Sequence, residues 1–95
     1  MQAQRNRELV VVLGLNQAQT EAEADRWRRH GAVVMRAHDA AGCLRVATAV
    51  SPDRIVLDRR VPRRLVRLLE AHPVSAAARI EWLPAVGTNQ QDLAA

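Results

Sequence analysis

Three groups of residues in this chain carry side chains able to do chemistry. The first is a single carboxylate. In the stretch SPDRIVLDRRVP, residues 51–62, the apolar run Ile55, Val56, Leu57 ends on Asp58. A carboxylate at the mouth of a buried strand can be a working group at the end of a sheet. It can equally do no more than accept bonds from the N–H groups of the following loop. Arg59 or Arg60 is close enough in sequence to pair with it and lock it. The second group is the basic run Arg59, Arg60, Arg63, Arg64 and Arg67. If a helix starts near Arg63, then Arg60, Arg63, Arg64 and Arg67 share one side of its first two turns. Such a patch attracts phosphate or nucleic acid; in an Arg-rich chain it is also an ordinary solvated helix face.

The third group yields little. His30, His38 and His72 fall at the ends of elements and lack metal-ligand spacing. Cys43 is the only cysteine, which excludes an internal disulfide and suits a small core residue. GLNQAQ, after the first apolar run, is neither a dinucleotide fingerprint nor a phosphate-binding loop. No Ser-His-Asp or Cys-His set can be argued from order alone. No helix-turn-helix, zinc-finger or RNA-binding signature is present, so nucleic acid is a possible partner without a motif. No residue is assigned as catalytic or as a metal ligand.

The elements that must position these groups come from a chain of 95 residues, enough for one domain with a modest core. Hydrophobic residues make up 48%, too many for a disordered chain. Aromatic residues are 2%, Trp27 and Trp82 alone, so the core is built of Val, Leu, Ile and Ala and offers no platform for stacking bases. Net charge is +4, with every basic residue an arginine, a composition that fits a GC-biased genome and permits anionic partners. No apolar run reaches the length of a membrane span, and the N-terminus does not read as a signal peptide. These features predict a soluble cytoplasmic protein.

Patterning predicts the order β-α-β-α-β-α-β. ELVVVLGLN, residues 8–16, reads as a strand buried on both faces. In TEAEADRWRRHG, Thr20 and Glu23 form a capping box, acids come early, and Arg28, Arg29 and His30 come late, as the helix dipole prefers. Gly31 is the C′ residue, and Ala24 and Trp27 face inward. AVVMRA, residues 32–37, is the second strand. Asp39 caps the second helix, whose apolar face is Cys43, Leu44 and Ala47. RIVLD is the third strand. RRLVRLLEAH, residues 63–72, is the third helix, apolar at Leu65, Val66, Leu68 and Leu69. ARIEWL, residues 78–83, is the fourth strand, and residues 86–95 are a polar tail. Alternating strands and helices predict a parallel sheet with helices on both faces and one domain over residues 1–95, its core about 8–85.

In this arrangement the sequence resembles the receiver domain of two-component response regulators. The resemblance rests on Pro52, Asp53, Ile55, Val56, Leu57, Asp58 and Pro62 in the middle of the chain, and on Gly31, Ala37, Cys43 and Leu44 upstream. RRLVRLLEAHP resembles the family's third helix. The resemblance implies a flavodoxin-like fold of sheet order 2-1-3-4-5, a bacterial signalling role, and Asp58 at the position of the phosphoaccepting aspartate. The chain departs from the family elsewhere. The acidic pair after the first strand is replaced by Gly14, Leu15 and Asn16. The Thr or Ser after the fourth strand is replaced by Pro84. The Lys after a fifth strand has no counterpart, and neither has that strand. Mg²⁺ wants octahedral oxygen ligands and dehydrates reluctantly, so one carboxylate holds it poorly.

The expectation is therefore a degenerate, C-terminally truncated receiver-like module of four strands that works by protein–protein interaction without phosphotransfer. It would bind no cofactor, with Mg²⁺ needed only if Asp58 is phosphorylated. The alternatives are a phosphorylatable receiver using Asp58, or an Arg-rich module that binds anions or nucleic acid. Ending on the fourth strand leaves an apolar edge bearing Ile80, Trp82 and Leu83, which a partner protein or a second copy would cover. Together with Arg60, Arg63, Arg64 and Arg67 these are the expected contact residues.

Overall fold

A computed structural model describes residues 7–83; the expectations for Pro84 and for the tail 86–95 lie outside these residues. Seven elements follow one another: β1 (Leu9–Leu13), α1 (Gln17–Arg29), β2 (Val33–Arg36), α2 (Ala40–Val50), β3 (Arg54–Leu57), α3 (Arg63–Ala71) and β4 (Arg79–Trp82). All three strand pairings are parallel, and the order across the sheet is β2-β1-β3-β4.

Each strand's alternation splits the core in two. Val11, Leu13, Ile55 and Leu57 face α2 and α3, where they meet Cys43, Ala47, Leu65 and Leu69. Val10, Val12, Val56 and Leu83 face the other way, toward Trp27 of α1. Val10, Val11 and Val12 are all fully buried, as a continuous β-branched run in a central parallel strand requires. The result is a three-layer α/β architecture of flavodoxin-like type, with α1 on one face and α2 and α3 on the other.

The helix ends show where local signals competed. Helix α1 begins at Gln17, earlier than the Thr20–Glu23 capping box implies. Asn16 is the N-cap, its side chain accepting from Gln19 N at 2.9 Å. Thr20 lies one turn inside and is buried; its hydroxyl donates to Asn16 O and accepts from Gly14 N, both at 2.9 Å. Glu23 accepts instead from Arg26 and from Trp27 Nε1. With the earlier start, no acid sits in the first turn, though the basic last turn holds. Asp39 caps α2 through Gly42 N at 2.7 Å, as predicted. Gly31, at φ +91°, ends the α1 region in the left-handed conformation that favours glycine.

Two apolar residues depart from expectation. Leu68 is 46% exposed, because α3 covers the sheet with Leu65 and Leu69 and turns Leu68 outward. Leu83 is 3% exposed and packs with Val10, Val12 and Val56, so it belongs to the core rather than to an open edge. Its backbone N–H still bonds Leu57 O at 2.8 Å, which continues the β3–β4 ladder one residue past β4 and draws the side chain under α1.

Candidate functional site

The C-terminal ends of parallel strands are where an open α/β sheet presents its crevice. Here that crevice is a cleft of about 190 Å³, bordered by Gly14 and Leu15 after β1, His38 and Asp39 before α2, and Asp58, Arg60 and Pro62 after β3. Asp58 is 4% exposed. Its backbone N–H bonds Leu13 O at 3.1 Å, and its carbonyl accepts from Val61 N at 3.2 Å, so β1 and the β3–α3 loop both fix its position.

The carboxylate is engaged from two directions. Asp58 Oδ1 accepts from the Arg60 backbone N–H at 2.8 Å and from Arg60 Nε at 3.3 Å. The side chain of Gln19, in the first turn of α1, also favours its charged form. Burial pushes the acid upward, but the Arg60 N–H, Gln19 and the Arg60 guanidinium together outweigh it and hold the carboxyl below its usual range. Of the two arginines expected beside Asp58, Arg60 makes the pair. Arg59 turns away into a different groove.

The loop after β1 is spoken for as well. Leu15 N donates to Gln19 Oε1, and Asn16 Oδ1 caps α1. Gly14 is pressed against α1: a Cβ there would meet Thr20 Oγ1 at 2.8 Å and Thr20 N at 2.9 Å. Asp39, the other acid bordering the cleft, is committed to its cap on Gly42 N. Among the described residues no group of three or more His, Cys, Asp or Glu side chains is arranged to hold a metal ion. His30 and His72 are tied locally: His30 Nδ1 contacts Arg26 O at 2.9 Å, and His72 Nδ1 accepts from Val74 N at 3.1 Å.

The remaining site residues divide. Arg63 and Arg67 line an open groove of about 510 Å³ between α3 and the outer side of β4, together with Arg59 and Glu70. Its apolar surface is Val61, Val66 and Trp82, the last 43% exposed. Ile80 packs from the same side of β4 against the α2–α3 core. Arg60 and Arg64 do not share this groove, contrary to the one-sided patch expected. Arg60 is held by Asp58, and Arg64 follows Arg63 by about 100° around the helix.

Sequence reasoning missed Gln19 and the groove. It also missed a polar knot on the α1 face, where Arg54 of β3 pairs with Glu8 (Nε–Oε1 3.0 Å) and with Glu81 of β4. The Arg54 guanidinium lies 5.2 Å from the Trp27 ring centroid. Comparison with family models, curated proteins and solved structures returns no match. Among the described residues, no helix is long and apolar enough to cross a membrane.

Proposed function

We propose that this chain is a receiver-like regulatory module that acts through protein contacts and neither transfers nor accepts a phosphoryl group. One observation carries the reading: Asp58 already accepts two bonds from Arg60, while the β1–α1 loop that faces it offers Asn16, a helix cap, in place of a second carboxylate. Attaching a phosphoryl group at Asp58 would remove the carboxylate charge that Arg60 meets on Oδ1 and would require gathering cation ligands from residues that serve other structural bonds. The Arg60 backbone N–H bond holds in one state a strand end that, in a phosphorylated receiver, would have to change.

The contact surface in this reading is the flank formed by α3 and β4, one of the two sheet edges among the described residues, the other being β2. The partner is another protein or a second copy, which solution mass separates. The single buried thiol of Cys43 suits the reducing cytoplasm of a bacterium.

The test is an amide NMR spectrum of the labelled protein, titrated with Mg²⁺ and then with beryllofluoride, which mimics a phosphoryl group on aspartate. The expected result is an unchanged spectrum around Asp58, Gly14 and Val61. Saturable shifts centred on Asp58 would overturn the proposal and establish a phosphorylatable receiver.

A further inference from the structure

The arginines of this chain are unequal in their partners. Arg26, Arg28, Arg36, Arg54 and Arg60 each face a carboxylate. Arg59, Arg63 and Arg67 pair with none among the described residues, and all three line the groove between α3 and β4. The helix adds to their field. The first turn of α3 contains no acid, and its N-cap, Pro62, supplies no side-chain bond, whereas α1 and α2 are capped by Asn16 and Asp39. Open N–H groups and arginines at the positive end of a dipole reinforce one another instead of cancelling.

We infer that this groove binds an extended acidic peptide segment of a partner protein, with an apolar side chain of that segment seated on Trp82 and Val66. The inference rests on the reading of the chain as an interaction module and names the chemistry of its partner. Arg63 and Arg67 are one helical turn apart, about 6 Å along the axis. Alternate side chains of an extended peptide repeat at about 6.6 Å, so carboxylates two residues apart match the two guanidiniums. The sheet edge supplies backbone partners. Arg79 N and Leu83 N bond toward β3, so in a parallel ladder the N–H groups of Ile80 and Trp82 point outward. Trp and Arg are also the side chains that most often anchor protein interfaces.

Charge complementarity decides among occupants. A second copy would bring a chain of net charge +4 against an arginine-lined surface. A nucleic-acid backbone would lay continuous phosphates past Glu70, whose carboxylate lies in the groove and repels them. A peptide can place a neutral residue there.

The experiment measures anisotropy of a short fluorescein-labelled peptide rich in Asp and Glu around a Leu-Leu pair. Its control is the same peptide with Asn and Gln replacing the acids. The full chain is expected to bind the acidic peptide saturably and the neutral one at least about tenfold more weakly. Arg63→Gln combined with Arg67→Gln, and separately Trp82→Ala, should each weaken binding by about tenfold or more. Arg28→Gln and Arg64→Gln, outside the groove, should stay within about twofold. Amide shift mapping with the acidic peptide should centre on Arg59, Val66, Arg67 and Trp82, a readout that needs no variant to fold. Equal losses for Arg64→Gln, equal binding of the neutral peptide, absence of saturable binding, or displacement by a single-stranded oligonucleotide or inorganic phosphate at lower concentrations than unlabelled peptide would each overturn the inference. The beryllofluoride titration reports on Asp58 alone, so the two readings fail independently.

Discussion

Arg60 turns back on Asp58 and meets one carboxylate oxygen twice, with its backbone N–H at 2.8 Å and its Nε at 3.3 Å. The first bond belongs to the loop and holds whatever the side chain does. The guanidinium is largely exposed, so its pairing adds modestly while the N–H bond to a buried acceptor sets the geometry.

Replacing Asp58 should therefore cost stability through the loop. Asp58→Ala leaves the Arg60 N–H without its acceptor and should lower unfolding free energy by about 1–2 kcal/mol, read by urea denaturation. Asp58→Asn keeps an acceptor oxygen and should cost less. The depressed acidity of Asp58 fixes the sign of its pH dependence. Its stabilisation is complete above the usual aspartate value of 3.8 and disappears as pH falls through the lower folded value, because the unfolded chain takes up its proton first. A flatter acid limb in Asp58→Asn than in the parent would bear this out; identical acid limbs would refute it.

Gly14→Ala should be among the most damaging single methyl additions in the chain. The new Cβ would stand 2.9 Å from Thr20 N, a backbone atom of α1 that cannot swing aside. A loss of about 1–3 kcal/mol is expected, seen as a lowered Tm. Gly42→Ala, where the nearest atom is the Asp39 carboxylate oxygen at 3.1 Å, is the milder comparison. Equal Tm values for the two variants would contradict this ordering.

Cys43 should be chemically silent in the folded protein. It is fully buried, and burial pushes its thiol up from 9.0 to about 11. At pH 8 a disulfide-exchange reagent should label it only as fast as the chain opens, and promptly in guanidinium chloride. The alkaline consequence follows from the same shift. Above pH 9 the unfolded thiol ionises while the folded one keeps its proton, so stability falls as pH rises toward 11, by at most about 1.4 kcal/mol per pH unit. Cys43→Ala should remove that limb; its persistence there would assign the alkaline loss to other groups.

Arg54 ties three strands and one helix together, through Glu8 beside β1, Glu81 on β4 and the Trp27 ring. Arg54→Gln keeps part of the stem but loses the charge. It should cost about 1–2 kcal/mol and shift the emission of Trp27, since a cation near an indole face perturbs it. A substitution at Arg28, whose partner Asp25 lies on the same exposed helix face, should cost well under 1 kcal/mol. Comparable losses for the two arginines would show that the α1-face knot is no more than surface charge.

How much of this was legible in the chain depended on how local the cause was. The β-branched run at Val10–Val12, the Asp39 cap and the left-handed Gly31 each follow from residues within a turn of one another. The Asp58–Arg60 pair is local too, and the strand-ending Asp with an arginine two residues on already suggested it. The cap of α1 failed because two good local signals, Asn16 and Thr20, lie within four residues. Packing chose between them: Thr20 is needed inside, where its hydroxyl secures Gly14 and Asn16.

The sequence by itself determined the alternation of strands and helices, and with it a parallel sheet, since short continuous apolar runs and amphipathic stretches are properties of neighbouring residues. It also determined that β1 would be covered on both faces, because only such a strand can be apolar at every position. Only the tertiary structure decided that Gln19 reaches Asp58, that Leu83 goes under α1 while Trp82 stays half exposed, and that Arg59, Arg63 and Arg67 meet Trp82 around one groove. Those juxtapositions depend on the β3–β4 register, which sets Leu57 opposite Trp82, and on how α3 rotates to bury Leu65 and Leu69. Both are set by non-local packing, which no window along the chain contains.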